Sequence, residues 1–492
     1  MAFTTEEEAK LRTIMTAYDG GQQINELPQA DSTVQDKVIE VYDMKTGQSE
    51  QMSVKDAVDM ANSPYFARVW DEGNGTPKAA TWTGNIEYGR HIEDILGLGN
   101  YLIKNDHSRR KLDRNTSYRF ANGEVAKLDG SMGHAQWAWG IVFYLSFWRQ
   151  GNLFFLGYSD RPIPGRMNYR IPIGSVAMSG HAAMDRQTNT LVSFFNEDPR
   201  YRGGDNQSSY DGTYKTLLGR AVTSITAETA RAAARRNGVG WMSTSMRHST
   251  VIKCLFELTF GTRDVQAPYN PELDKDGLRQ GGLGPGVTTW EWGAWSTHNG
   301  NRPFLPMDVG ADKGDFLGVI NYEVKNAEGT TVYTAPIPSF FGLKNLHGYL
   351  WRLPDDEFVK VNEDTSTTHL VAPSVYGEWT IGNETGMVAL STSPTKCDSY
   401  ILQVSYDHLE NFPTRVGASS STGHCDKFWN TSGATRGFRL LLRGCDASNG
   451  VQSGSSDVSV YSAVSDSLVY IGALLCEVTE DWPIEPVFAE VA

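Results

Sequence analysis

Few residues in this 492-residue chain have the types and spacing that chemistry needs. The five cysteines, Cys254, Cys397, Cys425, Cys445 and Cys476, contain no CxxC pair and are odd in number. They read as thiols of a protein made in a reducing cytosol, not as a disulfide framework. There is no HExxH, GxSxG or phosphate-loop motif, and no carboxylate pair stands out at helical spacing. The glycine-rich stretch from Gly281 to Gly286 lacks a preceding strand, a following helix and the Lys-Ser/Thr pair that phosphate binding requires. Just beyond it, Trp290, Trp292 and Trp295 could stack a sugar, but burial in an irregular loop core is the expected role. His347 reads as a satisfied turn histidine. The sequence therefore predicts no catalytic residue, no metal and no cofactor, and the chemistry to look for is binding.

The binding candidate lies near the C-terminus. Residues 444 to 457 are almost all small or polar, including Gly444, Gly450, Gly454, Ser453 and Ser456. Such a segment has too little apolar surface to offset the entropy of ordering itself. The apolar runs Phe438 to Leu442 and Tyr470 to Cys476, each expected as a buried strand, must hold it in place. On local composition alone it is an ordinary Gly/Ser-rich hairpin loop. As a binding surface, its contact residues would be Cys445, Asp446, Ala447, Ser448, Asn449, Val451, Gln452, Ser455, Asp457, Ser459, Tyr461, Asp466, Leu468 and Tyr470. Tyr, Ser and Asn suit this role because they combine stiff aromatic area with adaptable hydrogen bonding.

Other elements must carry this loop. A helix is expected from Thr4 to Tyr18, capped by Thr4 or Thr5 and stopped at Gly20-Gly21. Its apolar stripe either packs on its own domain or drives self-association or docking. A hairpin is expected around Met44 to Gly47, with a short helix from Val54 to Met60. Gly73 to Pro77 is a candidate boundary, which gives an N-terminal module at 1–75, a connecting region at 76–135 and a large domain at 136–492. The run from Trp137 to Phe147 predicts one strand buried on both faces, and Gly151-Asn152 turns it into Leu153 to Leu156. Helices are expected at Thr226 to Arg236 and Thr250 to Phe260. Arg263 and Gln266 either bond loop carbonyls, the structural role expected here, or are simply exposed. Residues 276 to 306 read as one long loop, 315–324 and 330–336 as strands, and the tail after Glu480 as a cover for the domain edge.

Composition excludes several classes. Net charge is −14 and pI about 5.2, with no basic stripe, so nucleic-acid binding is not expected. No apolar run is long enough for a membrane helix, and MAFTTEEEAK has no secretory character.

Two motifs carry a resemblance. The first runs Leu442-Arg443-Gly444, then Cys445 to Gln452, Ser453-Gly454, Ser455 to Val469, and Ile471-Gly472-Ala473-Leu474-Leu475-Cys476. It resembles the variable region of proteins diversified by phage retroelements, with its L-R-G start, Ser-Gly middle and I-G-x-L-C end. The second, Phe341 to Trp351, resembles the G-L-x-D-M-x-G-N-V-W-E segment of formylglycine-generating-enzyme-type C-type-lectin folds. Gly342, Leu343, Gly348 and Trp351 match, and Leu346 stands in for the Met; Asn345, Tyr349 and Arg352 depart from the pattern. The resemblance spans 137 to 480 patchily. It implies an α+β chain with a loop-rich C-type-lectin-like domain whose variable region, 443–470, contacts a bacterial surface receptor. It also implies a phage virion protein, a homotrimer attached to other virion proteins through residues 1–75. Formylglycine-generating enzymes use two cysteines and copper. Cys445 and Cys476 raise that possibility, but Cys445 falls where the pattern tolerates any residue. The calcium signatures of sugar-binding lectins are absent, since Trp429-Asn430-Thr431 lacks the acid.

Overall fold

The structure, a computed structural model, describes residues 65–488 except 74, 77–79, 395–396 and 431–435, together with the backbone of the strands Val38–Asp43 and Gln48–Ser53. Those two strands pair antiparallel, as the turn around Met44 to Gly47 predicts. The helices expected at 4–18 and 54–60 lie outside the described residues.

The remaining architecture is strand-rich α+β. One six-stranded antiparallel sheet runs Val487–Phe488, Met167–Ile171, Phe143–Gln150, Leu153–Ser159, Tyr65–Asp71, Thr81–Gly84. Strand Tyr65–Asp71 pairs along its whole length with Leu153–Ser159, so this sheet takes chain from both sides of residue 75. A seven-stranded sheet runs Trp241–Met242, Cys476–Val478, Gly174–Ala177, His134–Trp139, Gly99–Ile103, Arg109–Asp113, Thr116–Phe120.

The single strand expected from Trp137 to Phe147 is two. His134–Trp139 and Phe143–Gln150 belong to different sheets. The break falls at Gly140, whose N–H leaves the ladder and donates to Leu96 O at 2.8 Å. Only the first half is packed between layers; Phe143–Gln150 is partly exposed and its last two residues face solvent. All six residues of His134–Trp139 are buried. The hairpin at Gly151-Asn152 forms as expected, with Gly151 at φ 60°.

Helix Met246–Phe260 threads the interior and is buried at every described position but Ser249. Its charges are matched in place: Lys253 Nζ to Glu257 Oε1 at 2.9 Å, and Arg247 Nη1 to Asp356 Oδ2 at 2.7 Å. Leaving either partner alone in this interior would be costly, so the pairs are a condition of the burial. Gly261, at φ 62°, ends the helix. Helix Ala227–Arg235 is capped by Thr226, whose hydroxyl accepts from Thr229 N at 3.1 Å.

The stretch 276–306, expected as loop, contains helix Trp292–Asn299, closed by Gly300 in the left-handed region. The two expected strands form as Gly318–Lys325 and Thr331–Phe340, and they pair antiparallel. The tail places Trp482 and Ile484 in the interior and adds Val487–Phe488 to the edge of the six-stranded sheet.

Candidate binding face

The polar stretch is held by a second seven-stranded sheet, ordered Phe412–Ala418, Cys397–Ser405, Lys427–Asn430, Val458–Ser459, Leu442–Arg443, Trp351–Arg352, Ile471–Gly472. The two bracketing segments do not pair with each other. Leu442–Arg443 and Ile471–Gly472 flank Trp351–Arg352, antiparallel on one side and parallel on the other. The two sequence motifs, about a hundred residues apart, therefore meet as neighbouring strands. Between them the chain makes one loop from 444 to 457, returns through Val458–Ser459, and makes a second loop from 460 to 470.

The first loop is gripped mainly through its backbone. Gln266 Nε2 donates to the carbonyls of Gly450, at 3.0 Å, and Ser453. Asn411 Nδ2 donates to Ser455 O at 3.0 Å, and Gly348 N to Gly444 O at 2.6 Å. Asp426 Oδ2 accepts from Ser456 N at 2.6 Å. These contacts do not depend on which side chains the loop carries. Gln266 thus bonds loop carbonyls as expected, whereas Arg263 instead pairs with Glu72 at 3.0 Å.

The predicted contact residues divide by burial. Val451 is 62% exposed and Leu468 38%. Ser448, Asn449, Gln452, Ser455, Tyr461, Asp466 and Tyr470 are partly exposed. Cys445, Asp446, Ala447, Asp457 and Ser459 are buried, so as contact residues they are corrected to framework. The reason lies in the partners that the fold brings to them. Asp446 Oδ2 accepts from the Trp351 indole at 3.2 Å, and its other oxygen accepts from Ser448 N at 2.9 Å. Asp457 accepts from the Trp429 indole at 3.2 Å. Ala447 packs into a core cluster with Trp290, Trp295, Phe304 and Tyr349. Burial pushes the carboxyls of Asp426 and Asp457 well up, which favours their neutral acid forms.

Cys445 and Cys476 are both buried free thiols, and burial pushes each up, away from the reactive thiolate. No group of three or more His, Cys, Asp or Glu among the described residues could hold a metal ion. His347 is fully buried, and burial lowers its pKa to about 4; both ring nitrogens are buried without a hydrogen-bond partner among the described residues, so it is a neutral buried histidine and not the satisfied one expected.

The tryptophan cluster splits. Trp290 and Trp295 are core, as expected. Trp292 is 43% exposed and sets its ring edge-on against Tyr470, 5.1 Å between centroids. The helix Trp292–Asn299 and the second loop therefore touch through this aromatic pair. Composition pointed to both pieces, but nothing in the sequence joined them.

Beneath the loop lies a buried charge chain. Arg443 forks onto Glu357; Glu357 bonds His369 Nε2 at 2.9 Å; His369 Nδ1 bonds Glu410 at 2.9 Å. Burial alone would lower His369, but its two carboxylate partners outweigh it and raise it. Burial would raise Glu357, yet Arg443, with help from His369, holds it at about 2. Nothing in the sequence marks this chain, because Glu357, His369, Glu410 and Arg443 come from separate segments of the chain.

No protein-family model matches the chain, and no curated protein matches it.

Proposed function

We propose that the chain is a phage virion receptor-binding protein. A C-type-lectin-like domain presents residues 444–470, with Trp292 beside them, to a bacterial surface molecule. In this reading residues 1–75 attach it to the virion and the chains trimerise, so that modest contacts add as avidity. The observation that carries the reading is the grip on the loop backbone. Gln266, Asn411 and Gly348 bond main-chain carbonyls, so side chains at 448, 451, 452 and 455 can change while the loop keeps its path, whereas Asn449 Oδ1 accepts from Asp446 N at 2.8 Å and belongs to the turn itself. The meeting of the two motifs on adjacent strands supports the same reading.

The test is binding to intact host cells by the purified chain and by a variant whose exposed loop positions are exchanged for another set. Switched or lost binding with fold and oligomer unchanged supports the reading. Unchanged binding places recognition elsewhere.

A further inference from the structure

A cavity of about 570 Å³ lies at the seam between the six-stranded sheet and the outer strands of the sheet that carries the loop. Its size is that of small-molecule sites. Strands Tyr65–Asp71 and Phe143–Gln150 supply Trp70, Asp71 and Arg149, the following turns supply Glu72 and Asn152, and Arg263 comes from just beyond the buried helix. Strands Cys397–Ser405 and Phe412–Ala418 supply Gln403 and Arg415.

Its charge is opposite to that of the molecule. Among the described lining residues three arginines, Arg149, Arg263 and Arg415, face two carboxylates, Asp71 and Glu72, which leaves one positive charge in a chain of net −14. Part of that set is already fixed. Glu72 pairs with Arg149 and, at 3.0 Å, with Arg263. Both guanidiniums also lie on Phe154, at 4.9 Å and 5.3 Å from the ring centre, and Arg263 lies 4.9 Å from that of Trp70. Arg415 is different. It is exposed and makes no hydrogen bond or ion pair among the described residues. It sits directly across the strand pair from Gln403, so both side chains stand on one face of the sheet.

The rest of the lining is suited to hydroxyl groups. Asn152 offers an amide, Gln403 offers its amide oxygen while its Nε2 donates to Glu72 Oε2 at 3.4 Å, and Gly73, Gly75, Gly151 and Gly423 bring backbone close; of the described lining only Trp70 and Leu402 are apolar. An apolar ligand has little to bind there. A phosphate monoester carries about −1.5 to −2 at neutral pH and would overshoot the single positive charge. A carboxylate matches it, and arginine forks suit its geometry.

We propose that this cavity binds a carboxylated sugar, with its carboxylate on Arg415 and its hydroxyls on Asn152 and Gln403. The site is built from framework strands and is independent of the loop. Any exchange of the exposed loop positions leaves it intact.

The experiment is calorimetric titration of the full chain at low ionic strength with D-glucuronate, N-acetylneuraminate, D-glucose and inorganic phosphate. At least one carboxylated sugar is expected to bind about ten-fold or more tighter than glucose. Arg415→Ala is expected to weaken it by about ten-fold, the loss of one charge-assisted contact. Glu72→Gln adds a net positive charge and is expected to tighten it. Gln403→Ala, a neutral change on the opposite strand, is expected to weaken the sugar but not phosphate. The proposal is overturned if neither carboxylated sugar outbinds glucose, if phosphate binds as tightly as the sugars, or if a folded Arg415→Ala chain binds unchanged.

Discussion

Arg443 places Nε 2.5 Å and Nη2 2.7 Å from the two carboxylate oxygens of Glu357, and neither side chain reaches solvent to any extent. Arg443 is also the last strand residue before the loop, and its Nη1 donates to Asn411 O at 3.0 Å. Replacing it with methionine strands a buried carboxylate. Arg443→Met should cost about 3–5 kcal/mol, and adding Glu357→Gln should return part of that. Urea unfolding of the two single variants and the double variant measures the coupling.

The same chain sets a pH signature with two sides. Glu357 is depressed from 4.5 to about 2, so its contribution is complete above the ordinary carboxylate range and is lost as pH falls from 4.5 toward 2. His369 is raised, so its contribution is complete below the ordinary imidazole value of 6.5 and is lost as pH rises through the higher folded value. The stability gap between wild type and Glu357→Gln should close on the acid side, and the gap to His369→Gln on the alkaline side. Unfolding curves collected across pH read both; a flat gap in either series contradicts the assignment.

Gln266→Ala removes both donors to the loop carbonyls at 450 and 453. A loss of about 1–2 kcal/mol is expected, concentrated in local order. Hydrogen exchange should speed up at 450–453 and stay unchanged in helix Met246–Phe260.

Burial divides the loop into positions that tolerate change and positions that do not. Alanine at Ser448, Val451 or Gln452 should shift stability by no more than about 0.5 kcal/mol. Asp446→Ala and Asp457→Ala each leave an indole donor without its acceptor and should cost about 1–3 kcal/mol. Thermal melts of the five variants decide between them; equal effects across both sets would show that the division by burial has no energetic meaning.

Trp292→Ala tests the composite face. The ring is partly exposed and packs on Tyr470, so its loss should weaken host-cell binding by about ten-fold or more, while the melting temperature moves little. Full binding by this variant would confine recognition to the loops.

Local elements were largely legible in the sequence. Thr226 and the alanine run announced their helix, and Gly151-Asn152 its hairpin, because caps and turns are decided by nearest neighbours. What failed to show were relationships set by distant chain. Apolar alternation from Trp137 to Phe147 says that both faces are buried but not that Gly140 hands the chain from one sheet to another. Trp292–Asn299 has no apolar stripe to mark it as a helix. Asp446 and Asp457 look like exposed loop residues by type. They are buried because Trp351 and Trp429, one of them ninety-five residues away, offer indole donors. Of the candidate face, its location was readable, and its division into contact and framework was not.

Gln266 and Asn411 hold main-chain oxygens, which every amino acid carries in the same place. The 448–455 segment can therefore be treated as a cassette. Libraries randomised at its exposed positions, with Cys445, Asp446, Ala447 and Asp457 kept, would fold on one scaffold and could be screened for targets unrelated to any natural one.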